Sequence, residues 1–169
     1  MAGEESRLAR LFLAEARGEL SDCQRRIHHC LNQLDGAQLW WRPNEAANSI
    51  ANLLLHLTGN INQRIVSIIG GAPDARDRQR EFAERGPIEK KDLAARFDEA
   101  VARADAVLAT LSGVQLLEAR HYRKLSGEIE GNVTRLIVQT LVHLGGHTQE
   151  IIALARRQLG DRYRFMHSN

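Results

Sequence analysis

Two histidines one helical turn apart, in His143-Leu144-Gly145-Gly146-His147, are the residues of this chain best placed to do chemistry. Around them Val133, Leu136, Ile137, Leu141, Leu144, Ile151, Leu154 and Ala155 recur at helical spacing. That periodicity predicts one amphipathic helix from about Asn132 to Leu159. Residues four apart share a helix face, so the two imidazoles can grip one ion. Gln139 and Glu150 fall on the same flank. The residue after the first histidine is Leu144, not the glutamate that acts as base on a zinc-protease helix, which argues against a protease. Gly145 and Gly146 each cost about 1 kcal/mol in mid-helix relative to alanine. The expectation is that another element or a ligand approaches them closely.

A third histidine belongs to a second helical pattern. Ile50, Leu53, Leu54, Leu57, Ile61, Ile65 and Ile68 mark a core stripe from Ile50 to about Ile69, with Asn48 or Ser49 as its N-cap and Gly70-Gly71 as its end. His56 flanks that stripe, with Asn60 a turn later and Gln63 beyond. A lone histidine there is more often a satisfied core residue than a ligand. If the two helices are neighbours, however, His56, His143 and His147 converge. Three neutral imidazoles suit zinc, nickel or a similar divalent ion, with iron or manganese as alternatives, and leave positions open for water or substrate. An open position is the pattern of a catalytic centre. Glu150 and Asn60 are the candidates to orient the ligands or the substrate from outside the metal's own donors.

Two more stretches supply the scaffold for those helices. Leu8, Leu11, Phe12, Ala16, Leu20, Cys23, Ile27, Cys30, Leu31 and Leu34 trace a helix from Ser6 to Leu34, for which Gly36 is the expected stop. Leu93, Phe97, Ala100, Val101, Ala104, Val107, Leu108 and Leu111 trace another from Lys90 to Leu111. Four long helices in one domain, residues 1–169, predict an all-α four-helix bundle. The charged stretch from Ala72 to Gly86 is then a long crossover between the second and third helices, or an irregular cover over one end. Of the adjacent Trp40 and Trp41, one is expected to plug the bundle and the other to cover a cleft. His28 and His29 read as surface or cap residues. The segment from Ser112 to Gly131 is expected to hold a short extended piece, and Tyr163 and Phe165 to pack or to meet a partner chain.

Composition removes other classes. The 169 residues are 43% apolar and 26% charged with a net charge of +2, an ordinary globular balance without a dominating basic field. No basic stripe with interleaved aromatics argues for nucleic acid. No apolar run approaches the roughly 20 residues that cross a bilayer, and Met1-Ala2-Gly3-Glu4-Glu5 does not open a signal sequence. A cytoplasmic protein with no membrane partner is expected. Cys23 and Cys30 stand two turns apart on one helix, about 10 Å at the helical rise, too far to be bridged. They read as buried thiols.

At its histidines the sequence resembles the DinB-like (DinB/YfiT) superfamily. The resemblance is carried by Leu54-Leu55-His56-Leu57-Thr58-Gly59-Asn60, preceded by Leu39-Trp40-Trp41-Arg42-Pro43, and by Leu141-Val142-His143-Leu144-Gly145-Gly146-His147-Thr148-Gln149-Glu150-Ile151. It covers nearly the whole chain in helix order and spacing. Where members often have Gly-Gln-Ile after the last histidine, this chain has Thr148-Gln149-Glu150-Ile151. The resemblance implies an up-down-down-up bundle, a divalent metal held by His56, His143 and His147 at one end, and frequent homodimers. It also implies thiol-dependent transfer or isomerisation with a low-molecular-weight thiol and a small-molecule substrate, or metal-dependent hydrolysis. The rival expectation is a non-catalytic dimeric bundle, stress-related, with a structural or vestigial metal site.

Overall fold

The computed structural model describes residues 2–124 and 127–166. Helix α1 spans Ala2–Leu31, α2 Gly36–Trp40 and α3 Ile50–Ile61, which continues as a π-helical segment, Asn62–Ile69. Short α4, Arg78–Ala83, precedes α5, Lys90–Thr110, and α6, Gly113–Leu117. Strands β1, Ala119–Lys124, and β2, Gly127–Asn132, form an antiparallel pair with Ala119 opposite Asn132. Helix α7, Val133–Leu159, follows directly. Among the described residues, regular structure is helical apart from that hairpin.

The apolar stripes read from the sequence meet in one core. Leu20, Ile27, Leu53, Leu57, Ile61, Phe97, Leu108, Leu136, Ile137 and Ile151 are all fully or almost fully buried. Helix α1 packs against α5 and α7, and α3 packs against the same two helices from the other side. The α1–α5 seam carries Arg17 on Asp105, Gln24 and His28 on Asp98, and Lys90 Nζ donating to the carbonyls of Leu31 and Leu34. Cys23 and Cys30 are free and buried, as their spacing required; burial raises the Cys23 thiol to about 11, so it stays protonated and inert.

Several local expectations are corrected. Gly36 does not stop α1, which ends at Leu31. It opens α2 instead, under a capping box in which Asp35 accepts from the Gln38 backbone and Gln38 reaches back. Of the two expected caps, Ser49 is the one that caps α3, again in a capping box, here with Asn52. The charged crossover contains α4, whose cap is Asp77. The glycine pair of α7 is not under any neighbour: a side chain at Gly145 or Gly146 would meet nothing within 4 Å. Of the two tryptophans, Trp40 packs on the core with Nε1 donating to Ile88 O, while Trp41 is exposed beneath the Arg157 guanidinium. His28 and His29 are both bonded, the latter to Arg164 O. Tyr163 packs edge-on against His29 and against Phe165, whose own ring is largely exposed.

Candidate metal centre

Helices α3 and α7 bring His56, His143 and His147 together, each offering a ring nitrogen, all within 4.8 Å of one another. His56 is buried and the other two are half-buried. His56 Nε2 lies 2.9 Å from His143 Nε2, and the three rings stand nearly perpendicular to one another with centroids 4.5 to 5.2 Å apart.

Carboxylates fix two of the tautomers. A carboxylate can only accept, so the tautomer that donates Nδ1–H to Glu81 Oε2 at 2.9 Å leaves the His56 Nε2 lone pair facing the cluster; Arg76 Nη2 stands 3.1 Å from the same Nδ1. Glu150 Oε2 does the same for His147 at 2.7 Å, from one turn further along α7. An acid that holds the outer nitrogen of an imidazole while the inner one faces a metal is the usual support of a metal-binding histidine. His143 is kept neutral by other means. Burial, then the neighbouring His147 and His56 and the charges of Arg64 and Arg76, hold its pKa down to about 4. A neutral imidazole keeps one ring nitrogen with a free lone pair.

The acid on His56 is itself tightly held. Arg76 Nε and Nη2 bond the two oxygens of Glu81 at 2.7 and 2.9 Å, with both side chains under a tenth exposed. Arg76 is steadied in turn by Gln63 Oε1, and its backbone N–H by Asp74. Burial alone would raise the Glu81 pKa; the hydrogen bonds from Arg76 and His56 outweigh it and hold the carboxyl below its ordinary value. Phe82 closes the remaining side of the His56 ring, with centroids 4.7 Å apart.

Position comes from a polar clamp on α4. Asn52 Nδ2 donates to the carbonyls of Glu81 and Glu84, while Asn52 Oδ1 accepts from Ser49 Oγ and from Arg42 Nη2. Arg42, in the Trp-Trp-Arg-Pro stretch, also reaches Glu84 O. Gly59 completes the fit, because a Cβ there would overlap the Glu81 carboxylate and crowd Arg76 Nε. Neither Glu81 nor Asn52 was singled out from sequence. The available signal was Gly59, a helix-interior glycine three residues after a candidate ligand.

Of the two residues expected to support the site, Glu150 touches His147. Asn60 is buried one turn after His56 with its Oδ1 lacking any hydrogen-bond partner. Among the described residues, no helix is long and apolar enough to cross a membrane.

The sequence matches the family described as "Protein of unknown function (DUF1572)" over residues 7–168. The chain belongs to the DUF1572 family. Among curated proteins, none matches the sequence. Solved structures share the fold of this DUF1572 chain. A conserved protein from Enterococcus faecalis is 16% identical with a TM-score of 0.73, covering 87% of this chain and 96% of its own. A DinB-like protein, YjoA, from Bacillus subtilis is 14% identical at 0.66, covering 92% and 99%. A DinB-like protein from Bacillus cereus is 15% identical at 0.66, covering 92% and 95%. The resemblance read at the histidines is therefore a shared DinB-like fold.

Proposed function

We propose that this DUF1572 chain is a divalent-metal-dependent enzyme whose ion is held by His56, His143 and His147 and activates a thiol or a water for transfer or hydrolysis. The observation that carries this reading is the convergence of three ring nitrogens within 4.8 Å, with carboxylates on the outer nitrogens of two of the rings. Three imidazoles fit zinc or nickel best among divalent ions and leave coordination positions for an exchangeable ligand. When bound, such an ion acts as a Lewis acid and lowers the pKa of a thiol or water at an open position.

The chain's own residues would do the rest. Glu81, fixed by Arg76, would hold the His56 ring against rotation, and Glu150 would do so for His147. Phe82 would keep water from one side of His56. The seam bonds of α1 with α5, the approach of α1 to α7, and the Asn52 clamp near the start of α5 support an up-down-down-up order of the long helices, with residues 70–89 as the crossover.

Metal analysis of untagged protein tests the reading. About one ion per chain is expected, lost in the triple variant H56A/H143A/H147A; full metal content in that variant would overturn it. A screen of thiol conjugation against electrophiles, run beside ester and amide hydrolysis, then separates the two chemistries.

A second reading, a non-catalytic homodimer with a structural ion, is favoured by one feature. Leu8, Val114 and Leu117 are each at least 70% exposed around a groove of about 660 Å³ between the start of α1 and α6, an apolar surface suited to a second copy. Chelation discriminates: a structural ion lowers the melting temperature when stripped, whereas a catalytic one takes activity with it and leaves melting nearly unchanged.

A further inference from the structure

Arg64 lies in the π-helical segment, two turns beyond His56, half-buried. The other shielded arginines near the site are answered: Arg76 by Glu81, Arg42 by Asn52 and a carbonyl. Among the described residues, no carboxylate pairs with Arg64. Its guanidinium carbon sits 6.0 Å from the centre of the Tyr122 ring, and Tyr122 donates to Gln139 Oε1 at 3.3 Å, one turn before His143 on α7. Burial, opposed by Tyr122 and reinforced by the like charge of Arg76, lowers the pKa of Arg64. A shielded cation with no counter-charge costs stability. It persists where something else supplies the anion.

Two further observations point to the same place. Asn60 stands one turn from His56 and one from Arg64, and its buried Oδ1 is an acceptor with nothing to accept from. A buried polar atom left unpaired is costly. The π-helical turns hold more residues than α turns, so they slow the rotation of successive positions around the helix. Arg64 thus stays closer to the His56 face than an uninterrupted α-helix would leave it.

We infer that the site beside His143 takes a ligand bearing an oxyanion, a carboxylate or a phosphate, which Arg64 binds through its guanidinium while Asn60 Oδ1 accepts an N–H or O–H of the same ligand. The inference rests on the metal reading for where the ligand's reacting atom sits. The Arg64 pairing itself needs no metal. The Tyr122 ring lies 6.0 Å from the guanidinium carbon, and a planar guanidinium offers paired N–H donors that suit an oxyanion.

The test compares mercaptoacetate with its neutral counterpart 2-mercaptoethanol, and adds methyl phosphate, on metal-loaded and chelator-stripped full-length protein. Charge-assisted pairing predicts that mercaptoacetate binds the loaded protein at least about tenfold tighter than 2-mercaptoethanol. R64Q should make the two equal without changing metal content, and R64K should keep part of the preference as a point charge. In stripped wild-type protein, the Nε–H resonance of Arg64 should move with mercaptoacetate or methyl phosphate and stay still with 2-mercaptoethanol. The larger shift assigns carboxylate or phosphate. Equal affinities in the wild type, a preference that survives in R64Q, or a resonance unmoved by either anion would each overturn the inference. Absence of metal binding would remove only the metal reading, because the stripped-protein resonance still decides on Arg64.

Discussion

His56 and His147 are supported by the same chemical device, a carboxylate on Nδ1, in opposite surroundings. On the α3 side the acid is Glu81, buried, doubly bonded by Arg76 and seated by Asn52. On the α7 side it is Glu150, whose side chain is 44% exposed and which comes from the same helix one turn away. The difference shows what burial does to an ion pair. In the interior each partner has been removed from water, so taking away one leaves a charge that nothing solvates. At the surface, water replaces whichever partner is lost.

The comparison can be broken most sharply at Glu81. E81A should cost about 3 to 5 kcal/mol of stability by stranding Arg76, read by denaturant unfolding. E81Q, which keeps the shape, should weaken metal binding by about 10 to 100-fold through loss of the ring's orientation. If E81Q binds metal as the wild type does, the carboxylate is only structural. Next in size is G59A, whose Cβ must displace Glu81 or Arg76, at about 1 to 3 kcal/mol; the same substitution in an E81A background should cost much less.

Acid sharpens the contrast further. The Glu81 pKa is lower folded than unfolded, so the folded state binds fewer protons and stability is gained above the unfolded value. That stability is lost as pH falls below about 4.5 through the lowered folded value, and E81Q should flatten that part of the curve. Of opposite sign, G146A should stabilise the protein by about 1 kcal/mol, since the site is helical and open. The smallest effect belongs to E150Q, within about 0.5 kcal/mol of wild type in stability. A loss there comparable to E81A would erase the distinction between the two sides.

How far the sequence could reveal this follows from the range of each interaction. The long helices and the His143–His147 pair were legible because apolar period and i, i+4 spacing are local signals; His56, 87 residues before His143, joined them only through the resemblance to DinB-like proteins and the assumption that the two helices are neighbours. Glu150 was legible for the same reason, being one turn from its histidine. Glu81 was not, since it arrives from a short helix 25 residues after His56 in a stretch rich in both charge signs, where no periodicity marks one acid as buried. Asn52 was hidden as an ordinary helix-start residue, though its side chain fixes α4. The glycine pair in α7 was misread because a propensity cost tells that something is permitted there, not that something touches.

The widened turns of Asn62–Ile69 also bear on how relatives should be aligned. A π segment amounts to an extra residue accommodated within a helix, so related chains that keep an uninterrupted α-helix there would need a one-residue gap opposite it. Without that gap, every position after it would be compared with one rotated by about 100° around the axis.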